Sequence, residues 1–433
     1  MFKENKKQNE VLSCSEPRIY LNAGAGTGKT STILASIQQK LEDGVNQDSI
    51  LVLTYNKDIQ KEICNKLHFR IHVNTFHAFA LMILGKNKKQ KIINNLLSPE
   101  EEETLVRRAK NETKEKGLKK DFVRIIKAAR ENPSYIKHSQ HKYIPVLNRY
   151  KTLLKEEFKF DFARQIRMAI HYLEKNQNFL KKNQLRYKYI YVDEFQDISE
   201  KQFKLLKLLV SPETFLFCAG DCDQAIYGWN GISENNVNKA IDTLNLKVFH
   251  LTQSYRLPKK IVDGVNQLLS HNSNSFRKNL ISAKDKNGIL KAITFLSEKD
   301  EIDFISKKVK QLHNKKGIRY QEIAILARAK QIYESFQKSL PHGIFFSTVH
   351  KAKGLEFKYV FVVGAEDGIF PMIPDKRTLS SKELHAKMNE ERRVFAEAIS
   401  RASIGVYITC LDGVFRGNRK SGKSPFLAEM SIE

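Results

Sequence analysis

Ala23-Gly24-Ala25-Gly26-Thr27-Gly28-Lys29-Thr30-Ser31 is the stretch on which the reading of the whole chain turns. An apolar run, Ile19-Tyr20-Leu21, leads into it as a strand. Beyond Thr30 the residues Ile33, Leu34, Ile37 and Leu41 recur at helical spacing, and Gly44 offers a stop. Strand, Gly-rich turn and helix is the setting in which a helix N-terminus leaves backbone N–H groups free to hold an anion. Gly24, Gly26 and Gly28 let that backbone curl around phosphate without Cβ clashes. In such a loop Lys29 reaches the β- and γ-phosphates of a nucleotide, and the Thr30 hydroxyl ligates Mg²⁺. The strict pattern opens on Gly, whereas this chain has Ala23. Taken alone, the stretch is also compatible with a purely structural turn.

The 433 residues suffice for two or three domains, each with its own core. A hydrophobic fraction of 41% is ordinary for a soluble globular protein. No apolar run approaches the ~20 residues needed to span a bilayer. The start, Met1 to Lys7, lacks the apolar stretch of a secretory signal, so a cytoplasmic protein with no membrane partner is expected. Cys14, Cys64, Cys218, Cys222 and Cys410 are scattered, odd in number and without a CxxC pair, which argues against a disulfide framework or a zinc site. Net charge is +26, from 74 Lys+Arg against 48 Asp+Glu. That excess favours a polyanionic partner such as nucleic acid, and a solvated Lys-rich surface would produce the same number.

Along the chain, strand and helix alternate as far as about Gly85, with Ile50 to Thr54 as the next strand, which predicts a parallel sheet with covered faces. The segments from Thr54 to Lys57 and from Asn74 to Phe79 fall at strand ends, where open α/β sheets bind ligands. From Lys86 to Lys188 the pattern becomes helical. Ser98-Pro99-Glu100-Glu101 is a capping-box start, and Phe122, Ile125, Ile126 and Ala129 make one apolar face. Phe162, Ile166, Ala169 and Leu173 make another. This insertion holds 27 Lys+Arg against 12 Asp+Glu and is a candidate DNA-contacting surface. Strands resume at Tyr189 to Val192, running into Asp193 and Glu194. Two carboxylates at the end of a buried strand need a cation. Asp193 suits Mg²⁺, and Glu194 suits orientation and deprotonation of an attacking water. The strand Phe215 to Ala219 follows, and past it Gln224 is placed beside a terminal phosphate. Candidate strands at Val248 to Leu251, Ile323 to Leu326, Phe345 to Val349, Tyr359 to Val363 and Val406 to Thr409 predict a second α/β domain, packed on the first with a nucleotide cleft between them.

These residues form an ordered series that resembles the UvrD/Rep/PcrA-type DNA helicases of superfamily 1. Gln8 comes first, then AGAGTGKTS, LTYNK, NTFHAFA, YVDEFQD, GDCDQAIYGW, LTQSYRLP, TVHKAKGLEF and EERRVFAEAISRA. A lone phosphate loop is weak evidence, whereas nine motifs in order span essentially the whole chain. The resemblance implies an α/β fold of two RecA-like domains with parallel sheets flanking an ATP cleft. Its expected boundaries are 1–85 and 187–246 for the first motor domain, 86–186 for the helical insertion and 247–433 for the second. Ala23 is common at that position in the family.

The resemblance also implies site roles. Gln8 contacts adenine, Tyr255 stacks on it and Glu356 lies near the ribose, while Ala23, Gly24, Ala25, Gly26, Thr27, Gly28, Lys29, Thr30 and Ser31 cradle the phosphates. Arg256 and Arg401 point at the γ-phosphate, where an inserted guanidinium is worth on the order of 10³–10⁵ in rate. Tyr55, Asn56, Thr75, Phe76, His77, Tyr227, Trp229 and His350 match single-strand contacts, gripping bases by stacking without reading sequence. The expected activity is ATP- and Mg²⁺-dependent 3′→5′ translocation on single-stranded DNA with unwinding at single-strand/duplex junctions, by a monomer. Stripping of proteins from DNA and a non-catalytic DNA-binding subunit stand as alternatives. Three departures from the family appear. Ser31 replaces a frequent Arg, Ala396 and Glu397 replace an aromatic–aliphatic pair, and only Pro341 to Phe346 occupy the place of a large insertion.

Overall fold

The apolar runs around the Gly-rich stretch are continuous rather than alternating because their strands are covered on both faces. Arg18–Ala23 (β1), Ile50–Thr54 (β2), His72–Thr75 (β3), Tyr189–Val192 (β4), Phe215–Gly220 (β5) and Lys247–Leu251 (β6) form one six-stranded sheet in the order β3-β2-β4-β5-β1-β6. In β2 every residue is buried, and β1 and β5 are buried beyond their first residue. The pairs β1–β5, β5–β4, β4–β2 and β2–β3 are parallel. Register sets Asn22 opposite Gly220, so the ends of β1, β4 and β5 fall on one edge. The computed structural model describes residues 5–55, 63, 71–136, 138–228, 234–273, 277–373, 376, 379–417, 419–420 and 422–432.

The helical insertion begins as expected at Ser98, whose hydroxyl accepts from the Glu101 N–H while the Glu101 carboxylate accepts from the Ser98 N–H. Phe122, Ile125, Ile126 and Ala129 pack with Leu105, Val106, Val146, Tyr150 and Leu153 in one core. The second expected face needs correction. Ile166, Ala169 and Leu173 are buried, but Phe162 is 51% exposed at the first position of its helix. A charge lies inside this insertion: Arg130 Nε and Nη2 donate to Asp161 Oδ2 and Oδ1, each at 2.7 Å, with both side chains nearly enclosed.

A second sheet is built from Ile289–Phe295 (β7), Ile323–Ala327 (β8), Phe345–Thr348 (β9), Phe357–Val363 (β10) and Ala402–Leu411 (β11), in the order β9-β8-β10-β11-β7. All its pairs are parallel. Two differences from the sequence reading share one cause, the weak patterning of edge strands. The strand β7 was not anticipated, because it is half-exposed throughout and Lys291 interrupts its apolar run. The strand at Val248 to Leu251, read as opening the second half, is instead the edge of the first sheet beside β1.

By contacts the chain groups into two compact units. One comprises 1–22, 29–221 and 227–250, and the other 23–28, 222–226 and 251–433. Two short segments, the phosphate loop and the residues after β5, therefore group with the second unit.

Removing one partner from a buried ion pair leaves an uncompensated charge in the interior. Asp161→Ala is expected to lower the unfolding free energy by ~3–5 kcal/mol, read from the urea midpoint at unchanged slope. A loss well under 1 kcal/mol would show that Arg130 finds water or another anion.

Candidate active site

The chain leaves β1 through a loop whose backbone requires glycine at two places, Gly26 at φ +71° and Gly28 at φ +89°. A Cβ on Gly26 would also collide with Cβ of Arg256. The loop is tied down from one side. The Gly24 N–H donates to Leu251 O at 3.1 Å, Ser254 Oγ donates to Ala25 O at 2.8 Å, and the Tyr255 N–H donates to Gly26 O at 2.9 Å. Within the loop Thr27 Oγ1 donates to Gly24 O at 2.9 Å. These bonds explain why Ala23–Gly28 groups with the second unit.

Lys29 opens the helix Lys29–Glu42, with Thr30 and Ser31 half-buried behind it. Its ammonium meets both expected carboxylates, Asp193 Oδ1 at 3.4 Å and Glu194 Oε1 in direct contact. Burial opposes the ammonium charge, but Asp193 and Glu194, with Asp221 beyond, outweigh it and hold Lys29 protonated well above its ordinary range. The carboxylates are themselves fixed. Asp193 Oδ1 accepts the Glu194 N–H at 2.9 Å, and the Gln196 amide donates to Glu194 Oε2. Gln196 Oε1 accepts the Asp221 N–H at 2.9 Å. Glu194 sits at φ +53°, a left-handed conformation that costs a non-glycine residue roughly 1–2 kcal/mol. Such local strain at a strand end persists only when its surroundings impose it.

Asp193 is 2% exposed, and its second oxygen, Oδ2, has no hydrogen-bond partner. A buried carboxylate oxygen without a donor is expensive and fits a cation ligand. Among the described residues no group of three or more His, Cys, Asp or Glu forms a cage. One carboxylate with the hydroxyl of Thr30 is the sparse protein contribution that Mg²⁺ accepts, with water and phosphate oxygens completing its octahedron.

The other expected nucleotide residues are also engaged. Arg256 Nε donates to Glu356 Oε2 at 2.6 Å, joining two of them directly. Arg401 is 2% exposed and donates to Leu355 O at 3.1 Å, Glu397 Oε2 at 3.3 Å and Ser400 Oγ at 3.4 Å. Gln8 is fully buried, its Oε1 accepting the Asn5 N–H at 2.9 Å and its Nε2 donating to Thr32 Oγ1 at 3.3 Å. That places it against the helix that Lys29 opens. Tyr255 keeps 41% of its surface exposed, as a stacking ring requires.

Of the expected strand contacts, Tyr55 and Tyr227 stack on each other with centroids 5.6 Å apart and planes 24° from parallel. Thr75 Oγ1 accepts the Ala78 N–H and caps the helix Phe76–Asn94. Phe76 is only 4% exposed and packs inward. His77 lies edge-on to the exposed ring of Phe162, with centroids 4.8 Å apart. Burial pushes the His77 pKa down to about 4, and its Nε2 has no partner. Asn56 and Trp229 lie outside the described residues.

Three residues give the segment after β5 an anchorage that the sequence reading missed. Lys353 Nζ donates to Gln224 O at 2.9 Å, Arg393 Nε donates to Ala225 O at 3.0 Å, and His350 Nε2 bonds Ile226 O at 3.1 Å. Three successive carbonyls thus each take one donor from the second unit, and a carbonyl can only accept, so Nε2 of His350 carries the proton. Burial and then the charges of Arg328 and Lys353 lower the His350 pKa to about 4. A fourth tie is the buried pair of Lys278 with Asp223 at 3.0 Å. Lys353 and Arg393 were visible in quoted motifs without a role. Lys278 lay outside them and carried no signal.

Residues 4–245 match the UvrD/REP helicase N-terminal domain, and residues 249–344 and 334–412 match the UvrD-like helicase C-terminal domain. The chain belongs to the UvrD/Rep helicase family. Its two parallel α/β sheets are accordingly the cores of two RecA-like domains. A probable DNA helicase of Mycoplasma pneumoniae is 30% identical over 92% of this chain and 81% of its own length. The ATP-dependent DNA helicases PcrA of Staphylococcus epidermidis and Leuconostoc citreum are each 27% identical, over 77% and 78% of this chain. The chain spans about half the length of these PcrA relatives, 50% and 48% respectively. Among the described residues no helix is long and apolar enough to cross a membrane.

His77 and His350 are neutral when folded but take up protons near pH 6.5 when unfolded. Their depressed values therefore subtract stability as pH falls from about 6.5 toward 4. The urea midpoint is expected to drop between pH 7 and pH 5, and to drop less in a His77→Gln/His350→Gln variant. Equal pH dependence in both proteins would contradict the buried neutral state.

Proposed function

We propose that this chain is an ATP-driven motor that moves 3′→5′ along single-stranded DNA and unwinds duplexes at single-strand/duplex junctions. The observation that carries the reading is the ammonium of Lys29 held by Asp193 and Glu194 at the end of a parallel strand. The three groups that a phosphoryl transfer to water needs are in mutual reach there: a cation for the phosphates, a carboxylate for the metal and a base for the water.

On ATP binding, Lys29 exchanges its carboxylate partners for the β- and γ-phosphates, while the N–H groups of the loop from Ala23 to Ser31 wrap them. Thr30 and Asp193 Oδ2 would hold Mg²⁺, which would supply charge neutralisation at the phosphates. Glu194, freed from Lys29, orients the attacking water and takes its proton, and the Gln224 side chain senses the terminal phosphate. Arg256 and Arg401 answer the charge spread over the transferring oxygens. Gln8, Tyr255 and Glu356 hold the base and ribose, and the half-exposed Tyr255 ring supports that assignment.

Bases of the DNA strand stack on Tyr55, Tyr227 and Trp229, each good stack being worth roughly 1–3 kcal/mol. Asn56, Thr75, Phe76, His77 and His350 add further contacts to the strand. The three donors on the carbonyls of Gln224, Ala225 and Ile226 support coupling, because the segment that reports on phosphate runs directly into Tyr227. The first motor domain is assigned to 1–85 with 187–251, because Lys247–Leu251 is an edge strand of its sheet, and the second to 252–433, and the basic region 86–186 supplies further backbone contacts. The motor acts as a monomer in the cytoplasm, in the setting of DNA repair, replication or recombination.

Lys29→Ala should abolish ATP hydrolysis stimulated by single-stranded DNA. Trp229→Ala should leave ATP binding intact while uncoupling hydrolysis from strand displacement. Duplexes with a 3′ single-stranded tail should be opened and those with a 5′ tail left intact. Translocation without any strand displacement would favour the protein-stripping alternative, and ATPase persisting in Lys29→Ala would overturn the site.

A further inference from the structure

Glu397 is a buried carboxylate for which the proposed chemistry has no use. It stands near the end of the helix Ser381–Ile399, four residues before Arg401. Its side chain is 0% exposed, and that of Arg401 is 3% exposed. Oε2 faces Arg401 Nη2 at 3.3 Å, and Oε1 has no hydrogen-bond partner among the described residues. Among the described residues, that guanidinium is the one charged group paired with this enclosed carboxylate.

The three cations expected at the phosphates are all paired here, but not equivalently. Lys29 leaves carboxylates that have work of their own. Arg256 leaves Glu356, whose side chain is 48% exposed and can be taken over by water. Arg401 leaves Glu397 bare in the interior, and separating a buried pair in that way is the costly case.

We propose that Glu397 is a positioning residue that parks Arg401, its carboxylate competing with the terminal phosphate of ATP for the guanidinium. The proposal rests on the reading of Arg401 as a phosphate-facing arginine. Arg401 is then engaged only when the phosphate offers more than the carboxylate it must abandon, which restrains turnover in the absence of DNA. Without the negative charge, the guanidinium loses the hold of Glu397 and goes to phosphate more readily.

The test is steady-state hydrolysis of Mg-ATP, with and without single-stranded DNA, by Glu397→Gln, Arg401→Ala and the double variant. Glu397→Gln should lower the KM for Mg-ATP and raise DNA-independent turnover, each by about tenfold. In the Arg401→Ala background the same change should do nothing, a non-additivity that a general packing role would not produce. Glu397→Asp, which keeps the charge at shorter reach, should fall between. Wild-type KM and DNA-independent rate in a folded Glu397→Gln or Glu397→Asp protein overturn the proposal, as does a shift that persists without Arg401. Failure of both single variants to fold overturns it in favour of a purely structural role. Full turnover by Arg401→Ala would instead sink the assignment of Arg401 itself and leave the activity reading to stand on Lys29.

Discussion

An ammonium between two carboxylates is the constraint from which the rest of the site follows. Lys29 is almost enclosed, and a lone charge at that depth would cost several kcal/mol. It is tolerable because β4 ends beside β1 with β5 between them in the sheet order, bringing Asp193 and Glu194 to the head of the helix that Lys29 opens. The tight turn that aims Glu194 is left-handed and unfavourable by itself. Gln196 and the backbone of Asp221 stiffen it, so the strain is held by the sheet edge rather than relaxed. The same arrangement leaves Oδ2 of Asp193 without a donor among the described residues, as the proposed metal ligand requires.

Charge compensation is a theme beyond this cluster. Each cation assigned to phosphate rests on a carboxylate, Lys29 on Asp193 and Glu194, Arg256 on Glu356, and Arg401 on Glu397. These cations are neutralised in a protein whose net charge is +26. Binding then becomes exchange of one anion for another, and its energetics depend on what happens to the abandoned carboxylate. The segment from Cys222 to Ile226 follows a related logic with backbone dipoles, where Lys353, Arg393 and His350 each satisfy one carbonyl. These bonds hold Gln224 and the approach to Tyr227 to the elements that carry Arg401.

Sequence was a good guide where residues face one dominant force. The fully buried strands β2, β8 and β10 read as apolar runs, and Ser98 with Glu101 announced its helix, because burial and capping leave local signatures. Edge strands did not, since β6 and β7 are half-exposed and their patterning is diluted by Lys247 and Lys291. Phe162 followed the helical period of a core face yet lies outside, because its ring is taken up by His77 across a gap in sequence that periodicity cannot see. The phosphate loop, Asp193, Glu194 and the arginines were legible as motifs. The partner of Arg401 was not, because Glu397 looked like an unexplained departure until its nearness to Arg401 gave it a physical meaning. Lys278 and its pairing with Asp223 had no sequence signal at all.

The proposed hydrolysis depends on Lys29 changing partners, from carboxylate to phosphate, with Glu194 released to act on water. The most direct measurement is equilibrium binding of Mg-ATP to Glu194→Gln, paired with a single-turnover assay of the bound nucleotide on single-stranded DNA. Removing that charge frees the ammonium and removes the base together, so binding should be as tight as in the wild type or tighter, with the γ-phosphate left uncleaved. Weaker binding accompanied by normal cleavage would contradict it.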